Sequence, residues 1–357
     1  MRKLLAIFSL ILLGFSLVAA TYGPGTTGAN YLKIGLGARA VGLGESYTAA
    51  ADDTSAIYWN TAGLSEVRSA RVDFMQLNWL AGISAKTIFG AYPLSEKDTL
   101  GAYIMMMDTP QDLETRYAGS DIPAYDQAYA DQNNKFKSAM SVLNLGYSRI
   151  LSRKLSAGLG LKVINEDLAG DQANGLALDA GMIYKDLLPS LKLGVSVQNI
   201  GLKTLRAEEE LPMTVAAGAA YTLQLFKNDL NLLADVKVPN DNDPRLGVGA
   251  EYWLGNIIAG RVGYNTFSKM SLGLGLSLMG LVADYAYVPM GELGVTHRFS
   301  VGYIFDTPTT KAPAKKTENK KQTKIVEPKS AELIQNESVQ PVNYAEPTED
   351  ILAQFDF

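Results

Sequence analysis

The stretch LSAGLGLKV, residues 155–163, alternates without a break. Leu155, Ala157, Leu159, Leu161 and Val163 are apolar, while Ser156, Gly158, Gly160 and Lys162 are small or polar. A period of two over this length marks an extended strand with two unlike faces. The run LALDAGMIY, residues 176–184, repeats the pattern, with Leu176, Leu178, Ala180, Met182 and Tyr184 against Ala177, Asp179 and Gly181. Comparable runs lie at 70–80, 84–94, 99–108, 136–150, 191–200, 213–223, 230–238, 245–253, 257–265, 271–279, 281–288 and 295–305. Together they make about 14 candidate strands, many near the ~9–11 residues that a tilted membrane strand requires.

Two architectures put such alternation to use. A soluble all-β protein turns its apolar faces inward, whereas a membrane barrel turns them out to lipid and its polar faces to the lumen. Three features favour the barrel: an export signal, an even strand count, and connections that alternate between short (95–98, 152–153, 226–228, 255–256) and mostly longer (109–135, 167–173, 201–211, 239–244). The expected fold is therefore all-β: a transmembrane antiparallel β-barrel of about 14 strands with an N-terminal helical plug in its lumen.

The register then fixes an inward set: Lys162, Asp179, Asp235, Lys237, Glu251, Arg261, Asp284 and Arg298. A lipid-facing Lys or Arg at the midplane costs ~2–4 kcal/mol, which forces these charges into the lumen. Both signs occur, so they can pair with one another or with Arg39, Asp52 and Asp53 of the plug. Inward glycines at 158, 160, 247, 249, 273 and 275 leave room where a plug must fit. The early strands are apolar on both faces, so Met105 and Met107 should line the lumen as adaptable thioethers on a possible path for hydrophobic ligands.

The plug is read from Thr27–Leu64, rich in Gly and Ala and lacking strand alternation. Asp53 is expected to cap a helix over 54–60, with Asp52 adding favourable charge and Gly63 supplying a left-handed stop. Asn60 lies at its exit. Arg2-Lys3, an apolar run from Leu4 to Val18 shorter than the ~20 residues of a spanning helix, and Val18-Ala19-Ala20 read as a signal peptide over 1–20. The plug follows over 21–66 and the barrel over 67–306. Residues 307–357, rich in Pro, Thr and Lys, read as a disordered periplasmic tail. The longest connection, 109–135, carries Tyr117, Tyr125 and Tyr129 and is the natural place for partner or ligand contact.

Composition narrows the chemistry. With no cysteine and a single histidine among 357 residues, thiol nucleophiles, disulfides, zinc sites and His-dependent triads have no support. A net charge of −5 gives no electrostatic case for nucleic acid. No Gly-x-Gly pair completes a dinucleotide or phosphate loop, and there is no nucleophile elbow. The chain is read as a non-enzyme without cofactor or metal.

Two stretches carry a family resemblance: GARAVGLGESYTAAADDTSAIYWNTAGL within 35–64, and DYAYVPMGELGVTHRFSVGYIF over 284–305. Both resemble the PorV/PorQ family, a branch of the FadL-like outer-membrane barrels, over the chain up to about Phe305. Thr61 departs from it, since the family usually has Pro there. The resemblance implies a fourteen-stranded outer-membrane barrel with an N-terminal hatch. It further implies a role in type IX secretion through contact with exported cargo proteins or translocon subunits. FadL-type relatives instead import long-chain fatty acids or other hydrophobic compounds. The expected partners are thus outer-membrane lipid, cargo or translocon proteins, and a hydrophobic small molecule under the second reading.

Overall fold

Each alternating run forms a strand that pairs antiparallel with its neighbours, and the last strand pairs with the first. The structure is a computed structural model that describes residues 23, 25–110, 112–113, 135–136, 138–168, 171–203, 205–206 and 209–305. The stretch read as a signal peptide, the tyrosines of the 109–135 connection and the stretch read as a tail lie outside these residues. The ring runs β1 (Arg71–Asn78), β2 (Ser84–Pro93), β3 (Asp98–Asp108), β4 (Ser138–Ile150), β5 (Leu155–Leu168), β6 (Asp171–Lys185) and β7 (Leu191–Lys203). It continues β8 (Thr214–Leu225), β9 (Asn228–Pro239), β10 (Arg245–Leu254), β11 (Ile258–Asn265), β12 (Lys269–Leu278), β13 (Leu281–Pro289) and β14 (Val295–Ile304). Closure comes from β1 on β14, with Arg71 opposite Ile304 and Asn78 opposite His297. A closed ring leaves no strand edge to be satisfied in hydrocarbon. A two-residue ladder, Asp112–Leu113 on Lys135–Phe136, sits in the connection after β3.

The sense of the alternation decides what the ring is. Leu159 is 63% exposed and Leu274 61%, whereas Lys162 is 1% exposed and Glu251 1%. Apolar side chains cover the outside and charged ones fill the inside, the inverse of a water-soluble barrel. No helix among the described residues is long and apolar enough to cross a membrane, so any crossing is made by strands.

At one end of the ring every connection is short, while the other end carries the two longest. Those at 94–97, 151–154, 186–190, 226–227, 255–257 and 279–280 are short; at the other end lie 109–137 and 204–213. Two of the short ones place both central residues in the left-handed region: Phe226 and Lys227 (φ 49° and 67°), and Met279 and Gly280 (φ 51° and 82°). That conformation matches the twist of the flanking strands. One long connection differs from its expected length. β5 and β6 persist to Leu168 and restart at Asp171, so only 169–170 separates them.

Residues 27–67 are nearly all buried and fill the ring from within. A short helix α1 (Ala38–Gly42) touches β11–β14, and the 3-10 turn Thr61–Glu66 touches β3–β6 on another side. The core is shared by this lumenal segment and the inward strand faces: Leu36, Leu43, Ile57 and Leu64 pack with Met75, Leu77, Phe89, Tyr103 and Met105.

Local details of the segment correct three expectations. Helix α2 spans only Ala56–Trp59, and its N-cap is Ser55, without a side-chain cap. The Asp53 carboxylate instead accepts from the Ser55 amide at 2.9 Å and from its hydroxyl, closing a turn before the helix. Asp52 is drawn away to Arg39. Gly63 is not left-handed; it lies inside the 3-10 turn, and a Cβ there would sit 2.3 Å from the Ala51 carbonyl oxygen. Its need is close approach, not a helix stop.

Candidate functional site

The lumenal segment is held by two devices, glycine seams and charge. Backbone presses on wall glycines at many points around the ring. A Cβ on Gly263 would lie 1.9 Å from the Gly44 nitrogen, one on Gly194 2.3 Å from the Thr48 oxygen, and one on Gly158 2.5 Å from the Ala62 nitrogen. Gly249 and Gly273 meet Leu43 and Gly42 in the same way, and Gly247 meets the Ser46 hydroxyl. Two of the expected inward glycines serve otherwise: Gly275 makes room for the Arg261 guanidinium and Gly160 for Asn144.

Charge supplies the second device. Arg39 on α1 grips Glu251 with two parallel bonds, Nε to Oε2 at 2.8 Å and Nη2 to Oε1 at 2.9 Å. Its third arm reaches Asp52, with Asp53 3.6 Å away. Glu251 also accepts from Arg261 Nε at 2.7 Å and Asn231 Nδ2 at 3.1 Å, and Arg261 reaches on to Asp284 at 2.7 Å. Paired, bidentate and hydrogen-bonded on every side, these charges meet the conditions for burial. The structure thus brings Arg39, Asp52, Asp53, Glu251, Arg261 and Asp284 into one chain of ion pairs.

The other inward charges stand in separate groups. Asp235 accepts the Tyr47 and Thr48 amides at 3.0 and 2.8 Å. Lys237 donates to the Glu45 carbonyl and lies 4.1 Å from the centre of the Trp59 ring. Lys162 donates to Asp179 at 3.0 Å and to Asn199 at 2.6 Å. Arg298 donates to the Gly35 carbonyl at 3.2 Å and lies over Trp79. Asn60 donates to the Thr48 and Met182 carbonyls and accepts from the Ala62 amide, tying the segment to β6. Met105 and Met107 are buried in the apolar cluster, with Met140 and Met290 packed on it.

Several partners escaped the sequence reading. Arg71 and Asp73 pair inside β1, where Thr54 also donates to Asp73. Glu66 meets Lys185 and Lys192 at the short-turn end. On the connection after β7, Arg206 is held protonated more firmly than usual, because Glu166 and Asp171 both accept from it. Three aromatics also point inward: Tyr103 packs on Tyr58 and Phe89, and Trp79 and Trp253 lie under Arg298 and Arg261.

Thr61 opens the 3-10 turn, after Asn60 in extended backbone (φ −160°, ψ 101°). Proline suits that first position, and its predecessor already has the conformation proline demands. Thr61→Pro is therefore expected to raise stability by about 0.4–1 kcal/mol, read as a higher melting temperature of the detergent-solubilised barrel. A lower one would mean the Thr61 amide is needed.

A polar cavity of about 340 Å³ opens beside the Arg39–Glu251 pair, lined by Tyr47, Asp52, Lys192, Asn231 and Trp253 among others. Among the described residues no cluster of His, Cys, Asp or Glu is arranged to hold a metal ion.

A closed, inside-out barrel of fourteen strands is an outer-membrane barrel. Residues 127–321 match the family described as type IX secretion system membrane protein PorP/SprF. The chain belongs to that family. Among solved structures it resembles the TodX deltaS2S3 mutant monoaromatic hydrocarbon channel (13% identity, 76% of this chain and 99% of that one, TM-score 0.56). It also resembles the Ralstonia pickettii toluene transporter TbuX (16% identity, 76% and 98%, TM-score 0.55) and the CymD monoaromatic hydrocarbon channel (13% identity, 76% and 98%, TM-score 0.52). At such identities the likeness is one of fold. No curated protein matches the chain.

Proposed function

We propose that this barrel is a PorV-type component of the type IX system, a non-enzymatic protein that contacts exported cargo or translocon subunits through its longer connections. The observation that carries the reading is the closed lumen. The chain's own backbone lies against wall glycines at 158, 194 and 263, on three separate strands. An interior keyed so tightly is a scaffold, and protein contact then falls to the ends of the strands. Family membership supports the secretion context. Crosslinking and pull-down from native outer membranes should recover translocon or cargo proteins. Recovering none would sink the reading.

A second reading, import of hydrophobic compounds, is favoured by the apolar cluster around Met105, Met107, Met140 and Met290. The fold neighbours named as monoaromatic hydrocarbon channels and as a toluene transporter add to it. Under that reading, cells lacking the protein lose uptake of a hydrophobic compound, and a hydrophobic molecule copurifies inside the barrel. Unchanged uptake together with an empty interior would exclude it.

A further inference from the structure

The outer wall carries a notch that alternation alone does not produce. Across β1–β6 one outward row runs Val72, Gly90, Ala102, Leu145, Leu161, Leu178, each opposite the next in the sheet. At Gly90 and Ala102 this row loses its bulk, and a Cβ on Gly90 would meet nothing within 4 Å. The rows on either side keep theirs, with Tyr92 opposite Leu100 and Ile88 opposite Ile104. The result is an apolar depression of about 650 Å³ on the outside of the barrel. Behind it the wall is shut, because inward Gly101 and Gly146 lie against Leu64 and Ile57. It is a recess in the lipid-facing surface, backed at these two glycines by the lumenal segment.

The recess runs to the short-turn end, where Phe305 and Arg71 border it. Basic side chains gather at that rim. Arg68 donates to the Glu96 carbonyl, Lys97 lies beside Ile150 through its own carbonyl, and Arg149 pairs with Asp98. Asp98 is already taken up by Arg149, Tyr147 and Ser95. Lys97 and, on the neighbouring short connection 151–154, Arg153 are both exposed.

An apolar recess at acyl-chain depth that ends in cations at headgroup depth matches one ligand chemistry. We propose that this face seats one anionic phospholipid of the leaflet at the short-turn end. Its acyl chain fills the recess over Gly90 and Ala102, where a void would forfeit dispersion contacts. Its phosphate lies among Arg68, Lys97 and Arg153, where each basic group near an anionic surface adds favourable energy.

The test is native mass spectrometry of the full chain in detergent, titrated with phosphatidylglycerol or with phosphatidylcholine. One phosphatidylglycerol should be retained under conditions that strip phosphatidylcholine. The double variant Lys97→Gln, Arg153→Gln should weaken that retention about thirtyfold. Gly90→Leu with Ala102→Leu fills open space on the outside, so the barrel should fold as before and lose the bound lipid. Equal retention of both lipids would overturn the proposal, as would retention that survives filling the recess, which would mean headgroup attraction alone.

Discussion

Gly263→Ala should push the lumenal segment out of place, while Gly260→Ala, three residues away on the same strand, should change nothing. Gly260 faces outward, with nothing within 4 Å of an added Cβ, whereas at Gly263 that Cβ falls 1.9 Å from the Gly44 nitrogen. Neither partner can yield cheaply. Gly44 is left-handed at φ 65°, and its own Cβ position is blocked at 2.6 Å by the Tyr264 nitrogen. It is fixed further by its amide to the Ser271 hydroxyl at 3.0 Å and by Asn265 donating to its carbonyl. One methyl group here acts on two backbones, so the cost should reach or exceed the 1–3 kcal/mol of an overpacked core, about 3 kcal/mol. Part of that cost is relieved if the segment detaches near Leu43, leaving the ring of strands paired. Limited proteolysis should then cut within 38–48 in Gly263→Ala, and ion conductance across a planar bilayer should rise. Indistinguishable digestion and conductance in the two variants would refute the seam as the element that holds the segment.

That seam is also where the sequence is hardest to read. Strands were legible because two unlike surroundings, lipid outside and a charged interior, write an alternation at each pair such as Leu161 and Lys162. The alternation fades where both surroundings are apolar. Met105 faces the packed interior and Met106 the outside, and the residue types do not separate them. Asp73 and Arg71 pair inward from β1, whose other inward residues, Met75 and Leu77, are apolar and break the alternation. Glu166 lies inward beyond the point where the 155–163 pattern ends. Glycine is a different difficulty. It has no side chain to declare what it faces, so Gly181, Gly194 and Gly263 look no different from the outward Gly260 until the segment's path is known. Gly63 misled for the same reason: its position suggested a helix stop, and only the Ala51 carbonyl beside it shows that the need is for space.

The second large effect is expected at Glu251, because a guanidinium of the segment and one of the wall meet on it. Two guanidiniums, Arg39 and Arg261, converge on its carboxylate, and an amide from Asn231 completes the set. Glu251→Leu removes the one group that balances both, leaving Arg39 to Asp52 and Arg261 to Asp284. Removing one partner of a buried ion pair typically costs about 3–5 kcal/mol, well above what an exposed pair contributes. Urea unfolding in lipid vesicles should show that loss. The companion change Arg39→Leu separates charge imbalance from lost packing. If imbalance dominates, the double variant should recover part of the stability, with a coupling of about 0.5–3 kcal/mol between the two sites. Strict additivity would mean that the pair is incidental and that the seam glycines carry the attachment by themselves. Recovery would mean instead that the segment is fastened by charge at α1 and by shape along its length. Removing Glu251 would then loosen α1 from β10 while the contacts at Gly158 and Gly194 persist, a partial release distinct from the displacement expected at Gly263.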